Sequence, residues 1–211
     1  MTDKAVIFDL DDTLVRTTQY KWAQHQEVAR RFYGVDLDES TLRSHWGKPS
    51  RELVEAYYQS SEPVEVKLQK FHSLDDEFPK TLIEDVPYVL GQLVARNLII
   101  GIVTNGRKES VQKDVVRLGL PIQDIHFIHA YEDTKAYKPD PSAFRLANSI
   151  LQSMAITDIT YVGDSLTDFY ASRDAGMDFV GVTSGLATQK DFLAAGAANV
   201  VSDIKQILRI V

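Results

Sequence analysis

Short apolar runs rich in β-branched residues recur along the chain and alternate with segments of helical pattern. Each run is continuous rather than alternating in polarity, which is typical of a parallel sheet covered by helices on both faces. The pattern therefore predicts an α/β fold with a doubly wound, mostly parallel sheet. The predicted strands are 5–10, 99–103, 126–130, 160–162, 179–183 and 199–201. Predicted helices lie between most of these strands and after the last one, at 87–96, 108–118, 141–153, 166–175 and 204–210.

One gap between predicted strands is too long for a single crossover, because residues 11–98 separate the first strand from the second. Helical patterns fill this gap at 17–33, 39–44, 50–59 and 63–77. We therefore expect an α/β core domain, residues 1–15 and 84–211, with an inserted helical domain, residues 16–83. An insertion after the first strand is expected to lie over the carboxyl ends of the strands, where open α/β sheets bind ligands. It is predicted to be a cap.

Three acids, Asp9, Asp11 and Asp12, follow the first apolar strand. If the extended backbone continues, the side chains of Asp9 and Asp11 point to one side. Two carboxylates so close repel each other unless a cation or a shared proton intervenes. This segment taken alone fits either a solvated acidic turn or a magnesium site with a carboxylate nucleophile.

A second acidic cluster follows another short strand, with Gly163 and Asp164 at the strand end and Asp168 one helical turn later. Gly163 permits close approach of another backbone or side chain, and the spacing puts Asp164 and Asp168 on the same side. Helix capping by Asp164 or Ser165 would also explain these residues. The presence of two such clusters at two strand ends favours a shared site.

Two further segments offer groups suited to phosphate. Thr104, Asn105 and Gly106 follow the second strand and supply a hydroxyl group and turn amides. Lys138 precedes a helix that begins at a proline, and a lysine ammonium is a good point charge for phosphate. Alone, the first segment is an ordinary turn, and a surface lysine is the commoner interpretation of a lysine before a proline.

Composition excludes several classes of protein. The absence of cysteine excludes disulfides, thiolate catalysis and zinc sites built on sulfur. A net charge of -7 without a basic face argues against a nucleic-acid polymer as partner. No apolar run is long enough to span a bilayer, so we expect no membrane partner and a cytoplasmic location. The oligomeric state is left open.

The four segments, in this order, resemble the motifs of the haloacid dehalogenase superfamily. Asp9 and Asp11 with Thr13 are similar to the first motif, Thr104 to the second, Lys138 to the third, and residues 163–168 to the fourth. The resemblance spans the chain and implies a Rossmann-like core. The helical insertion resembles the cap of the subfamily that includes phosphoglycolate phosphatases and β-phosphoglucomutase.

The resemblance implies a magnesium-dependent phosphatase that forms an aspartyl phosphate. Asp9 would be the nucleophile, and Asp11 the general acid and base. The implied metal ligands are Asp9, Asp164, Asp168 and the backbone carbonyl of Asp11. For Asp168 three roles are left open: it would bind the metal directly, bind it through a water or orient Lys138. The implied phosphate-binding residues in the core are Thr104, Asn105, Gly106 and Lys138.

The leaving group is left open among phosphoglycolate, a sugar phosphate and a nucleoside monophosphate, all small phosphorylated metabolites. Lys21, Lys48 and Arg51 are candidate substrate-binding residues of the insertion, although solvated cations at helix starts are an equal alternative for Lys48 and Arg51. A phosphosugar mutase is the alternative function. Related mutases carry a cap histidine where this chain has Lys21, which favours hydrolysis. A receiver-type signalling module is a distant alternative. In such a module the phosphorylated aspartate follows the third strand, whereas the acid pair of this chain follows the first strand.

Overall fold

A computed structural model describes residues 3–48 and 50–211. The chain divides into two compact units. The first, called the core unit below, is Met1–Arg16 with Thr81–Val211, and the second, called the helical insertion, is Thr17–Lys80. Within the described ranges, no helix is long and apolar enough to cross a membrane.

The core unit contains a sheet of six parallel strands in the order β5-β4-β1-β6-β7-β8. Strand β1 lies in the interior of this sheet, where Ile7 is in register with Gly101 of β4 on one side and with Tyr161 of β6 on the other. The strands of the chain are β1 Lys4–Phe8, β2 Val15–Arg16, β3 Thr81–Leu82, β4 Ile99–Val103, β5 Phe127–His129, β6 Asp158–Gly163, β7 Asp178–Val182 and β8 Asn199–Val201.

Helices cover both faces of the sheet, as the continuous apolar strands predict. Val6 and Phe8 of β1 join one buried cluster, whereas Ala5 and Ile7 join another. The first cluster contains apolar side chains of α5 and α6, and the second contains those of α8 and α9. The predicted doubly wound α/β fold is confirmed. The helices of the core unit are α5 Val86–Ala95, α6 Lys108–Leu118, α7 Tyr131–Thr134, α8 Arg145–Ser153, α9 Leu166–Asp174 and α10 Gln189–Ala195.

A two-stranded antiparallel ribbon joins the two ends of the helical insertion, with one strand before the insertion and the other after it. Val15 pairs with Leu82, and Arg16 pairs with Thr81. The backbone N–H of Ile83 also donates to the carbonyl oxygen of Leu14 at 2.9 Å. The ribbon strands β2 and β3 are too short to show a periodic pattern, so the sequence does not predict them.

The helical insertion has an apolar core of its own, formed by residues such as Val28, Leu42, Val54 and Phe71. Its helices are α1 Thr18–Val28, α2 Glu39–His45, α3 Ser50–Tyr57 and α4 Val64–His72, and a π-helical segment, Ala29–Tyr33, continues α1. The His25 ring lies inside this core. It stacks on Phe71 with ring centroids 4.2 Å apart, and its Nδ1 is 2.6 Å from the hydroxyl oxygen of Tyr58.

Some predicted helices differ from those observed. The segment Ile204–Arg209 is a 3₁₀-helix, and Pro141–Phe144 is a 3₁₀ turn that precedes α8. The buried residues Ile204 and Ile207 are three apart, which matches the three residues per turn of a 3₁₀-helix. Helix α4 ends at His72 rather than continuing to residue 77, since the following residues form turns with bonds from residue i+3 to residue i.

We predict that His25 makes the stability of the helical insertion depend on pH. Burial lowers the pKa of His25 from its usual 6.5 to about 3, and the positive charges of Lys21 and His72 act in the same direction. The unfolded chain therefore binds a proton near pH 6.5, whereas folded His25 stays neutral until about pH 3. The contribution of His25 to the free energy of unfolding should therefore fall by about 2 kcal/mol between pH 7 and pH 5.

Urea unfolding followed by circular dichroism at several pH values measures this effect. His25→Phe keeps an aromatic ring beside Phe71 but cannot titrate, so its stability should lack this pH-dependent loss. His45→Gln is the matched control, because it removes a histidine outside the buried cluster and should keep the wild-type pH dependence. An identical loss in wild type and His25→Phe between pH 7 and pH 5 would refute the prediction.

Candidate active site

The carboxyl ends of three neighbouring strands, β4, β1 and β6, bring the predicted site residues of the core unit to one edge of the sheet. Asp9 follows β1, Thr104 follows β4 and Asp164 follows β6. The pairing extends past the end of β1, because the Asp9 N–H donates to the carbonyl oxygen of Val162 at 2.9 Å. Residues far apart in sequence thus meet where open α/β sheets bind their ligands.

Asp9, Asp164 and Asp168 form a cluster in which one oxygen of each carboxylate lies within 4.8 Å of the others. Asp9 is 6% exposed and Asp168 is 1% exposed. Hard divalent cations such as Mg²⁺ prefer carboxylate and carbonyl oxygens. The donor chemistry of this cluster therefore fits a magnesium ion.

The pKa values of the acids in this cluster also favour a bound cation. Burial raises the pKa of Asp9 to about 7, an effect that Lys138 opposes and that Asp168 and Asp11 reinforce. Burial, together with Asp168 and Asp9, raises the pKa of Asp164 well above its usual value. A bound cation favours the ionised form of nearby carboxylates, so it would offset both effects.

Lys138 supplies a positive charge in the middle of the acids. Its ammonium group donates to Asp9 Oδ1 at 2.5 Å, to Asp168 Oδ1 at 2.6 Å and to the hydroxyl oxygen of Tyr161 at 2.7 Å. Burial alone would lower the pKa of Lys138, but Asp168 and Asp9 more than compensate and raise it above its usual value. Lys138 is therefore charged, and its ammonium group also lies 3.3 Å from the carbonyl oxygen of Val103, so four acceptor oxygens are within hydrogen-bond distance.

Both oxygens of Asp168 have partners in the protein. Oδ1 contacts Lys138, and Oδ2 accepts hydrogen bonds from the backbone N–H of Ser165 at 3.1 Å and from its hydroxyl group at 2.5 Å. Ser165 in turn caps α9, so the capping interpretation is also correct. Gly163 makes room for this arrangement, because a Cβ there would lie 2.6–2.7 Å from the Asp168 side chain.

The turn after β4 holds the predicted phosphate ligands. Thr104 Oγ1 accepts a hydrogen bond from the Gly106 N–H at 3.0 Å, which closes a tight turn. The Asn105 side chain reaches away to the backbone of Lys138. Thr104 is 5% exposed, and the Lys138–Pro139 peptide bond is cis.

Asp11 differs from Asp9 in its exposure. Asp11 is partly exposed, and a Cβ on Gly106 would lie 3.6 Å from its Oδ2 atom, so this carboxylate lies beside the turn after β4. The structure therefore brings Asp9, Asp11, Thr104 and Lys138 to one edge of the core unit, with Asp164, Asp168, Asn105 and Gly106 around them.

Sequence reasoning missed three residues at this edge. Tyr161 contacts Lys138, the Ser184 hydroxyl donates to the Asp12 carbonyl oxygen at 2.5 Å, and Gly185 packs directly against the Asp164 carboxylate. Tyr161 resembles any apolar strand residue in sequence. Ser184 and Gly185 follow the predicted strand next to the fourth motif, and that position is a signal that could have identified them.

The predicted substrate-binding cations of the insertion all have partners within it. The Lys21 ammonium lies 3.0 Å from Asp75 Oδ1 and 2.9 Å from Gln24 Oε1. Lys48 Nζ is 3.0 Å from His45 Nδ1, and the exposed Arg51 forms a 2.6 Å ion pair with Glu65. Their assignment to substrate binding stays a prediction.

A family model described as haloacid dehalogenase-like hydrolase matches residues 6–182. The chain belongs to this family. The match includes all four segments that carry the resemblance in sequence, from Asp9 to Asp168. The predicted family and the prediction of a hydrolase are thereby confirmed.

Relatives of this haloacid dehalogenase-like hydrolase include a named phosphatase and a named mutase. N-acetylmuramic acid 6-phosphate phosphatase of Pseudomonas aeruginosa is 30% identical over 207 residues, which are 95% of this chain and 90% of that protein. Beta-phosphoglucomutase of Bacillus subtilis is 28% identical over 195 residues, covering 86% of this chain and 84% of that protein.

The fold is also shared with solved structures. A crystal structure described as a predicted phosphoglycolate phosphatase from Haemophilus somnus 129pt superposes with a TM-score of 0.83. The comparison covers 100% of this chain and 99% of that one at 22% identity. At this identity the likeness concerns the fold alone.

We predict that Gly185→Ala weakens Mg²⁺ binding. A methyl group at this position would overlap the carboxylate of Asp164, which must then move. Changing a residue that contacts a metal ligand typically weakens metal affinity by about 10- to 100-fold. Isothermal titration calorimetry with MgCl₂ measures the affinity directly.

Gly91→Ala is the matched control, because a Cβ at Gly91 meets open space in α5. It should leave Mg²⁺ affinity unchanged and stabilise the helix by about 0.5–1 kcal/mol. Wild-type Mg²⁺ affinity in Gly185→Ala, or no Mg²⁺ binding by the wild-type protein, would contradict the prediction.

Proposed function

We propose that this protein is a magnesium-dependent phosphatase that hydrolyses a small phosphate monoester through an aspartyl phosphate at Asp9. The observation that carries the proposal is the position of Asp9, buried at the end of β1, in contact with Lys138 and beside Asp164 and Asp168. Family membership and the named phosphatase among the relatives support it.

Asp9 is suited to attack phosphorus because its two oxygens have different surroundings. Oδ1 accepts from the Lys138 ammonium, which leaves Oδ2 as the nucleophile. In the first step a bond forms between Asp9 Oδ2 and phosphorus while the bond from phosphorus to the leaving oxygen breaks. Asp9 must be ionised for this step, and Lys138 favours that state.

Magnesium would be held by Asp9, Asp164 and the backbone carbonyl of Asp11, and when bound it would neutralise negative charge on the phosphoryl oxygens. For Asp168 the contacts favour a different role. Because both of its oxygens are engaged by Lys138 and Ser165, Asp168 would orient Lys138 rather than bind the ion directly.

Asp11 is the proposed general acid and base. Its partly exposed carboxyl group would donate a proton to the leaving alkoxide in the first step. As a carboxylate it would then take a proton from water, whose oxygen attacks phosphorus as the bond to Asp9 breaks. The Thr104 hydroxyl, the amide of Asn105 and Lys138 would hold the phosphoryl oxygens during both steps, while the Gly106 N–H supports Thr104 Oγ1.

A phosphosugar mutase is the second candidate, which the Bacillus subtilis relative favours. Hydrolysis is preferred because Lys21 stands where related mutases have a cap histidine and is engaged by Asp75 and Gln24. The proposed substrates are phosphoglycolate, a sugar phosphate or a nucleoside monophosphate. A panel of these esters, assayed for released phosphate, separates hydrolysis from isomerisation.

Asp9→Asn should abolish hydrolysis of an aryl phosphate, because an amide is a poor nucleophile and a weaker metal ligand. The expected loss in kcat is on the order of 10⁴-fold or more, by analogy with removal of other nucleophiles. Wild-type activity should also disappear in excess chelator and return with MgCl₂. Release of nitrophenol from an aryl phosphate measures both effects.

Asp174→Asn is the control for this experiment, because Asp174 is an exposed acid at the end of α9. Its activity should match wild type. Full activity in Asp9→Asn, or in excess chelator, would overturn the proposed function.

Asp11→Asn should lower turnover by about 10²- to 10⁴-fold while leaving Mg²⁺ affinity largely unchanged. The substitution removes the proton donor and the later base but keeps the backbone carbonyl. An aryl phosphate, whose leaving group needs little protonation, should still give a burst of product as the aspartyl phosphate accumulates. An alkyl phosphate should give no burst.

Rapid-mix kinetics with both esters and calorimetry with MgCl₂ make this measurement. A collapse of Mg²⁺ affinity in Asp11→Asn, or wild-type turnover of both esters, would show that Asp11 is not the acid and base.

A further inference from the structure

The backbone of Lys138 is held by a single side chain. The Lys138 N–H donates to Asn105 Oδ1 at 2.8 Å, and Asn105 Nδ2 donates to the Lys138 carbonyl oxygen at 3.1 Å. One amide group thus pairs with both polar groups of one residue, as a neighbouring strand would in a sheet. Tyr137 and Pro139 on either side are exposed.

The other end of Lys138 is held by a buried hydroxyl group. Tyr161, which is 0% exposed in β6, accepts from the Lys138 ammonium at 2.7 Å. The same hydroxyl donates to the carbonyl oxygen of Val103, the last residue of β4, at 2.8 Å. Asp168 Oδ1, at 3.4 Å, is a second and more distant acceptor for the Tyr161 hydroxyl, which accepts in turn from Lys138.

We propose that Asn105 and Tyr161 are positioning residues for Lys138, with Asn105 fixing its backbone and Tyr161 fixing its ammonium group. The proposal rests on the proposed function, in which Lys138 orients Asp9 for attack. It gives the Asn105 side chain a role separate from that of its backbone amide in binding phosphate.

The need for two attachments follows from the chemistry of lysine. The lysine side chain has four rotatable bonds and a compact charge. Contacts at the ammonium group alone therefore do not fix the conformation of the four carbons that connect it to the backbone. Asp9 and Asp168 attract the ammonium from two sides, and a small shift toward either one changes the orientation of Asp9. A misplacement of about 1 Å near reacting atoms can reduce turnover by about 10²-fold.

The experiment compares kcat, KM and melting temperature for wild type and six variants with an aryl phosphate and MgCl₂. Asn105→Ala and Tyr161→Phe should each lower kcat by about 10- to 100-fold, with a smaller change in KM. Asn105→Asp keeps the acceptor for the Lys138 N–H but places a carboxylate oxygen opposite the Lys138 carbonyl oxygen, so it should also lower kcat. It also provides a second test if Asn105→Ala does not fold.

Asp140→Ala is the matched control. Asp140 Oδ1 accepts from the N–H of Ser142 at 2.9 Å and from its hydroxyl group at 2.6 Å, so it stabilises the same segment without touching Lys138. It should lower the melting temperature yet keep the wild-type kcat. An equal fall in kcat for Asp140→Ala and Asn105→Ala would mean that general loosening of the segment is responsible, which overturns the proposal.

Two further outcomes separate this proposal from the proposed function. If Lys138→Ala is inactive while Asn105→Ala and Tyr161→Phe keep the wild-type kcat, the positioning roles are wrong and the phosphatase mechanism stands. If Lys138→Ala and Asp9→Asn both retain full activity, the proposed function itself is wrong.

Discussion

The buried ion pairs of Lys138 with Asp9 and Asp168 are the interactions on which the rest of the site depends. An ammonium group and two carboxylates removed from water are strongly destabilising unless each finds charged and hydrogen-bonding partners. The surrounding structure supplies them. Tyr161 and Ser165 complete the contacts of the charged groups, and Asn105 fixes the lysine backbone. The polar residues around the edge of the sheet are thus linked through one lysine.

Much of the fold and the acidic part of the site could be predicted from sequence. Asp9, Thr104 and Asp164 each follow an apolar run, and the carboxyl ends of parallel strands share one edge. The chain order alone does not say which strands are neighbours. The pairing of β1 with both β4 and β6 therefore had to come from the structure.

The contacts of Lys138 could not be predicted for a different reason. Tyr161 has the hydrophobic surroundings of an ordinary strand residue, and only its hydroxyl group reaches the lysine. Asn105 was identified through its backbone amide, whereas its side chain contacts a residue 33 positions later in the chain. Gly185 follows a predicted strand, which is a signal in sequence, but its contact with the Asp164 carboxylate comes only from the structure.

The short ribbon of β2 and β3 has a consequence for how such a chain can vary over evolution. Because Val15 and Leu82 are paired within the core unit, the two ends of the intervening segment are already held side by side. The entropy lost in closing a loop grows only slowly with its length, by about 0.6 kcal/mol for each doubling. Segments of very different size can therefore be exchanged between these two strands while the sheet, including the edge that carries Asp9, Thr104 and Asp164, keeps the same connections.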